Sequence, residues 1–388
     1  MLERILDRKN IENAMKAVER NKGAGGMDNM QGDELRPFVN ANYQNLLRSI
    51  LEGSYEPKPV RKVEIPKPQG GVRMLGIPCV IDRMLQQAIH QWLNPQYEKE
   101  FNENSFGFRP RKNAHQAVIT AQGYLNEGYG KVIELDLEKF FDRVNHQKLM
   151  FLLSRKIEDK RTLQLISGYL KSGIMEDGIV SQRIEGTPQG SPLSPLLSNI
   201  MLNELDKELS KRGHRFVRYA DDCSIYVKSE KSARRVLRSI TRYIEEELLL
   251  KVNREKTRIS RPNQSNLLGF SFYQNKGIYL IRIGTKSLQR IKEKCKAITK
   301  SSEPIEEEVK LKKLDEVIRG WVNYFRIAKA KAKMQELDEL VRTRLRISTW
   351  RRWKRIRTKV GNLIKLGIEK SKENKKVPGG ECNLNCVS

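Results

Sequence analysis

The chain has 388 residues, 38% of them hydrophobic and 31% charged, with 74 Lys and Arg against 47 Asp and Glu for a formal net charge of +27. This composition is too patterned for wholesale disorder, and no run of about 18 apolar residues offers a membrane span. The charge calls for a polyanionic partner, nucleic acid first and an acidic membrane surface second.

From the N-terminus, Leu2, Ile5, Leu6, Ile11, Ala14 and Val18 recur at helical spacing over residues 1–20, an amphipathic start without the apolar core of a signal peptide. A Gly- and Asn-rich loop, Asn21 to Gly32, leads to a second helical pattern over 33–52. Turn chemistry at Tyr55–Pro59 and Pro66–Gly71 flanks a strand, Val60–Ile65, with Gly71–Ile77 as its hairpin partner. Helices are predicted over 80–100 and 113–127, on either side of a loop around Phe106-Gly107-Phe108-Arg109-Pro110. Lys131–Asp136 reads as a strand with an acidic end, followed by helices at 146–158 and 160–171. Thr187–Gly190 is a turn before a long helix at 192–210. Phe216–Ala220 and Ser224–Lys228 form a hairpin around Asp221-Asp222. A helix at 231–249, a strand at Val252–Ile259 and a hairpin of Leu267–Tyr273 with Ile278–Ile283 follow. The remainder is helical, at 285–299, 305–328 and 333–357, with a linker at Ser301–Glu308. Beyond about residue 367 the chain is polar and is expected to be disordered.

Five scattered cysteines do not make a disulfide framework and fit a reducing, intracellular compartment. Cys382 and Cys386 lack the further ligands that tetrahedral zinc needs. The charge is graded along the chain. Residues 321–388 hold 18 Lys and Arg against 6 Asp and Glu, and the peak runs from Arg346 to Lys359 with seven basic residues and no acid. Trp350 and Trp353 interleave with these bases, which suits a nucleic-acid surface: charge for phosphates, rings for bases or sugars. The same pattern also fits a helix that buries Trp321, Trp350 and Trp353 and solvates its arginines.

Two acidic strand ends carry the chemistry. Asp136 closes one apolar strand, and Asp221-Asp222 lies 85 residues later at a hairpin tip. Carboxylates gathered at strand ends repel one another unless a cation bridges them. Such oxygen-rich clusters suit Mg²⁺, which takes one or two carboxylates, waters and substrate phosphates. Two ions together activate a hydroxyl and stabilise a leaving pyrophosphate. A plain Asp-rich turn is the alternative for Asp221-Asp222 taken alone.

The order of the blocks resembles a reverse transcriptase, specifically the group II intron reverse transcriptase/maturase family of the compact bacterial kind. The matching stretches are Ile65-Pro-Lys-Pro68 with Gly71–Pro78, Ser105-Phe-Gly-Phe-Arg-Pro110, Asp136–His146, Gly186–Pro195, Arg218-Tyr-Ala-Asp-Asp222, Leu268-Gly-Phe270 and Gly320-Trp-Val-Asn-Tyr-Phe325, over about residues 1–367. The resemblance implies an α+β right-hand polymerase: an N-terminal helical extension (1–50), fingers and a palm with an antiparallel sheet (51–283), and a helical thumb or maturase domain (284–366), before the tail (367–388). It implies RNA-templated addition of dNTPs to a DNA primer with two Mg²⁺ ions, Mn²⁺ being a substitute, and binding of group II intron RNA to assist splicing and retromobility.

By the same resemblance, Asp136, Asp221 and Asp222 with the Leu137 carbonyl hold the metals, and Lys256 protonates the leaving pyrophosphate. Arg61 and Lys67 clamp the triphosphate, Phe140 excludes a ribose 2′-hydroxyl (a core ring beside Phe141 being the alternative), and Gln189 lines the nascent base pair. Asn21, Lys22 and Gly23 lie over the template, and Arg109 and Arg111 contact its phosphates, a structural ion pair being the alternative for either. Leu268, Gly269 and Phe270 grip the primer, and Arg351, Arg352 and Arg355 bind RNA. Ser191 departs from the second glycine common in the family, a change a helix start tolerates. The short stretch after the thumb has no recognisable endonuclease and leaves target-DNA contact in doubt. The implied location is the bacterial cytoplasm, in a ribonucleoprotein. A maturase that only binds RNA and a reverse transcriptase outside an intron are the alternatives; the intact Asp136, Asp221, Asp222, Gln189 and Lys67 argue against the first.

Overall fold

The computed structural model describes residues 1–66, 71–176, 179–181, 183–300 and 306–368. Lys67, the Cys382–Cys386 pair and nearly all of the expected tail lie outside the described residues. Two compact units are present, Met1–Gly284 and a second starting at Thr285.

The first unit opens with α1 (Leu2–Ile5), α2 (Arg8–Asn21) and α3 (Leu35–Leu51). Asp7 starts α2 by accepting the Lys9 N–H, and Lys22 ends it in the left-handed conformation, φ 45°. The hairpin β1 (Val60–Pro66) and β2 (Val72–Ile77) precedes α4 (Val80–Glu98) and α5 (Ala114–Asn126), the latter opened by an Asn113/Gln116 capping box. Next come β3 (Lys131–Leu135), the single turn α6 (Phe140–Arg143), α7 (His146–Ser154), α8 (Lys160–Lys171), β4 (Ile174–Glu176) and β5 (Ile179–Ser181). Then follow α9 (Ser194–Lys211), β6 (Arg215–Tyr219), β7 (Asp222–Val227), α10 (Glu230–Glu246), β8 (Arg258–Ser260), β9 (Phe270–Asn275) and β10 (Ile278–Ile283).

The antiparallel sheet β6-β7-β3-β8 is the palm. One face carries α10, whose apolar positions Ala233, Val236, Ile240 and Ile244 recur every three to four residues and are buried. A second sheet, β2-β1-β4-β5, forms the fingers, with β4 parallel to β1. The β4–β5 hairpin is absent from the sequence expectation. Its three-residue strands leave Ile179 and Val180 exposed, so they carry no burial alternation to read. The expected strand over 252–259 reduces to β8 and a bridge at Val252.

Residues 1–50 share one hydrophobic core with the palm sheet and with α4, α7, α8, α9 and α10 rather than forming a separate body. Leu2 donates its N–H to Asp159 at the cap of α8 (2.8 Å), and Asn10 donates to the Ala88 carbonyl of α4 (3.0 Å). Beneath the N-terminal loop, Asp82 is 1% exposed and accepts from the Tyr55 hydroxyl (2.7 Å) and the Lys58 N–H (3.2 Å).

The second unit is α11 (Thr285–Ile298), α12 (Glu307–Phe325), α13 (Lys331–Arg352) and α14 (Ile356–Lys365). Its core is small: Ile291, Cys295, Leu314, Leu337 and Val341, with Trp321 packed against them. The expected single helix over 333–357 is broken, because Trp353 leaves helical geometry at ψ 72°. The three tryptophans do not share one fate. Trp350 stays 38% exposed, pairs with the Trp353 ring at 6.1 Å and lies under the Lys359 ammonium at 4.5 Å.

Burial pushes the Asp82 carboxyl up to about 6 against the pull of Tyr55 and Lys58. A group with a raised folded pKa opposes folding fully above that value and not at all below its unfolded value near 4. Relative to wild type, Asp82→Asn should therefore gain on the order of 2–3 kcal/mol between pH 4 and pH 7; urea midpoints of both proteins across that range check the sign and the window.

Candidate active site

Chain direction and register bring the carboxylates together. In the β3–β7 ladder Leu135 faces Cys223, so Asp136, just past the end of β3, arrives beside Asp222, the first residue of β7. Asp221 occupies the turn between β6 and β7, which Ala220 enters in the left-handed region at φ 58°. A non-glycine residue there is strained, a state that persists only where neighbours over-determine it.

Asp136 is held through its backbone. Its N–H donates to the Thr257 hydroxyl (3.1 Å), and its carbonyl accepts the Asn253 N–H (2.9 Å). The Glu138 N–H reaches the Lys251 carbonyl, so the ladder bonds flank Leu137 and leave the Leu137 carbonyl outside the ladder. Asn253 also accepts the N–H groups of Glu255 and Lys256, shaping the turn that presents the Lys256 ammonium 3.7 Å from Asp136.

Electrostatics report the crowding. Partial burial raises the Asp136 carboxyl, with Lys256 opposing and Asp221 adding to the rise. Asp222 is pushed up to about 6: its side chain reaches solvent, yet the surrounding walls desolvate it, and Asp221 and Asp136 add like charge. Among the described residues no group of three or more His, Cys, Asp or Glu is placed to hold a metal ion by itself. Carboxylates near enough to raise one another have the chemistry that suits an ion drawing further ligands from water and phosphate.

A cleft of about 530 Å³ adjoins Asp221 and is lined also by Asn21, Gly23, Arg83, Phe141 and Gln189. Gln189 is fixed by its backbone carbonyl, which accepts the Gly76 N–H of β2 (2.9 Å). Gly190 follows at φ 112°. Ser191 donates to Gln86 and accepts the Leu193 N–H (3.3 Å), so the extra hydroxyl is satisfied just ahead of α9. Arg61 on β1 has a buried Nε without a partner. Arg83 donates to the Ala24 carbonyl (2.8 Å), and its guanidinium is pulled down by burial and by Arg61. Among the described residues neither arginine forms an ion pair.

Three expectations need correction. Phe140 is 3% exposed and belongs to the core; the neighbouring ring, Phe141, 5.3 Å away at 71°, lines the cleft. Arg109 does not face a phosphate: its side chain is 5% exposed, grips Glu98 (2.8 Å) and donates to the carbonyls of Ser105 and Asn102. Phe270 is fully buried; Leu268 and Gly269, both at positive φ, make the tight turn in front of it. Arg111 is exposed at φ 62°. Arg351 and Arg355 are exposed on the second unit, while Arg352 pairs with Glu307 (2.8 Å).

Arg83, Phe141 and Thr257 are the site residues missing from the sequence expectation. An arginine in the first turn of α4 opposes the helix dipole, which is the signal that marked Arg83.

Comparison with known proteins adds the family. The reverse transcriptase (RNA-dependent DNA polymerase) family matches residues 65–272, which contain every carboxylate of the site. The chain belongs to the reverse transcriptase family. The group II intron maturase-specific domain matches residues 288–367, so the two units together are those of a group II intron reverse transcriptase/maturase. Protein YkfC of Escherichia coli is 34% identical over 64% of this chain and 74% of its own length. The group II intron-encoded protein LtrA of Lactococcus lactis is 37% identical over 48% of this chain; the matched stretch is 31% of that relative's length. A partial Cas6-RT-Cas1–Cas2 complex aligns over 63% of this chain and 42% of its own at 23% identity and a TM-score of 0.40.

Proposed function

We propose that the first unit extends a DNA primer on an RNA template with dNTPs and divalent metal, Mg²⁺ by preference and Mn²⁺ as substitute, and that the second unit binds group II intron RNA. The observation that carries the polymerase reading is the meeting of Asp136, Asp221 and Asp222 at one end of the palm sheet, beside a cleft that also holds Gln189, Phe141 and Arg83. Two bound ions supply activation of the primer 3′-hydroxyl and neutralisation of the leaving group. Asp136 and Asp221, with the Leu137 carbonyl, hold them. Arg61 and Arg83, which form no ion pair among the described residues, receive the triphosphate, and Lys67 joins them. The Lys256 ammonium gives its proton to the leaving pyrophosphate oxygen. Phe141, lining the cleft, excludes a ribose 2′-hydroxyl, and Asn21, Lys22, Gly23 and Arg111 follow the template. The Leu268–Gly269 turn presents backbone to the primer.

The exposed Arg351, Arg355 and Trp350 suit the phosphates and grooves of A-form RNA, which is read by shape more than by base edges. Among the described residues no helix is long and apolar enough to cross a membrane. The bacterial cytoplasm is the proposed location, and contact with target DNA is left out of the proposal.

Primer extension on a synthetic RNA template tests the carboxylates: Asp221→Ala should abolish it while leaving RNA binding within about threefold. Retained extension sinks the catalytic assignment.

The two adjacent phenylalanines separate by experiment. Phe141→Ala should raise incorporation of ribonucleotides relative to deoxyribonucleotides at little cost in stability. Phe140→Ala should cost about 3–5 kcal/mol in a denaturant titration, as expected for a large core truncation, and leave sugar selection unchanged.

On the second unit, Arg351→Glu with Arg355→Glu should weaken RNA binding. The slope of log affinity against log salt should flatten by about 0.7–0.9 for each phosphate that the protein no longer neutralises. An unchanged slope means that this face is only solvated.

A further inference from the structure

The strained turn that carries Asp221 is held from behind by groups that touch no substrate. Arg218 begins the Arg218-Tyr-Ala-Asp-Asp222 block, and its side chain is 1% exposed. It makes a two-pronged ion pair with Asp206 of α9, itself 0% exposed, at 2.6 and 2.7 Å. Its remaining prong, Nη1, donates to the Ala220 carbonyl (2.9 Å) and to Asn199 Oδ1 (3.0 Å). Asn199 in turn donates through Nδ2 to the Gly107 carbonyl (3.0 Å).

Gly107 completes the enclosure. A Cβ built there would lie 2.2 Å from the Ala220 nitrogen and 2.9 Å from the Tyr219 carbonyl carbon, so this loop lies flush against the turn's backbone. The loop is tied to β6 by the Arg218 N–H donating to Asn104 (2.9 Å) and the Phe106 N–H donating to the Arg218 carbonyl (2.8 Å). Arg109, anchored on Glu98, secures the preceding carbonyls.

A buried ion pair is weak evidence for stability, because apolar residues of similar size often serve as well. Here its geometry has a separate use: the guanidinium fork fixes two carboxylate oxygens on one side and a turn carbonyl on the other. The turn enters at Ala220 with φ 58°, a conformation alanine does not choose alone. No apolar substitute could hold that carbonyl.

We propose that Arg218, with Asp206, Asn199 and Gly107, is a buried brace that fixes the Ala220–Asp221 turn and thereby sets where the Asp221 carboxylate stands. Arg218 is a positioning residue, and the Ser105–Pro110 block is the brace's outer wall rather than a template contact. The inference rests on the reading of Asp221 as catalytic.

The test uses the full chain and three variants. Asn199→Ala removes one acceptor of Arg218 and the donor to Gly107 while keeping the ion pair. Gly107→Ala drives a methyl group into the Ala220 backbone. Arg218→Lys keeps charge and loses the fork; should it fail to fold, the other two decide. Steady-state primer extension at saturating Mg²⁺ should show kcat lower by about 10- to 100-fold, the scale of a small misplacement of a reacting group, with dNTP KM and template–primer Kd within twofold of wild type. Amide hydrogen exchange measured without divalent metal should speed up at residues 219–222 and stay unchanged in the rest of the palm sheet. A kcat within twofold of wild type in both Asn199→Ala and Gly107→Ala overturns the brace, as does exchange that rises uniformly through the sheet. Asp221→Ala separates the two readings. Extension retained by Asp221→Ala removes the catalytic premise. Extension lost in Asp221→Ala but intact in the brace variants removes the brace alone.

Discussion

Mutual repulsion among three carboxylates at the ends of neighbouring strands organises this molecule. The β3–β7 register leaves Asp136 and Asp222 no choice but to meet, and the turn adds Asp221. Burial and like charge then raise Asp136 and Asp222. Lys256 answers only part of that charge, since its ammonium is 3.7 Å away and its side chain 70% exposed, where water screens it. The backbone bonds from Thr257 and Asn253 hold Asp136 against the repulsion without neutralising it. Under the proposed function divalent cations settle the acids, and phosphates carried by those cations bring charge to Arg61 and Arg83. Acidic and basic groups that do not pair with each other across the cleft are joined by what lies between them.

How much of this was legible in the sequence depended on whether a signal was local. The palm strands and α10 were legible because one buried face imposes a two- or 3.6-residue period. The acid block was legible because Asp at the close of an apolar strand contradicts burial. The β4–β5 hairpin was not: its strands are three residues long, β5 is exposed, and β4 pairs in parallel with a strand over a hundred residues earlier. The break at Trp353 has no proline or glycine to announce it, and its flanking arginines are good helix formers. Phe140 and Phe141 are adjacent on a single turn of helix, about 100° apart, and only the tertiary packing decides which ring meets the core. Arg109 shows the same limit for charge. Its partner Glu98 lies eleven residues back, at the end of a different element, so no helical spacing predicts the pair.

The two units divide the positive charge by use. In the first, the arginines behind the site are enclosed and geometric: Arg218 on Asp206 and Arg109 on Glu98. In the second, the core is a handful of residues, and most of the basic side chains from Arg346 to Lys359 point to solvent. A small core with a dense cationic surface gains stability when a polyanion relieves its self-repulsion. The coupling is reciprocal, because whatever lowers the repulsion also tightens binding.

The net charge of +27 understates the surface that nucleic acid meets. Each internal ion pair removes one base and one acid together and leaves the excess untouched. Asp136, Asp221 and Asp222, however, are counted among the 47 acids, although under the proposed function divalent cations neutralise them. Setting them aside leaves the remaining exterior more positive than the total suggests. Two kinds of attraction therefore act on one ligand. The outer surface holds nucleic acid by screened, salt-sensitive contacts spread over many side chains. In the proposed function the cleft takes phosphate together with divalent ions, through a few groups. Monovalent salt weakens the first and barely reaches the second, so retention of the RNA and chemistry on the primer are separate free energies within one chain.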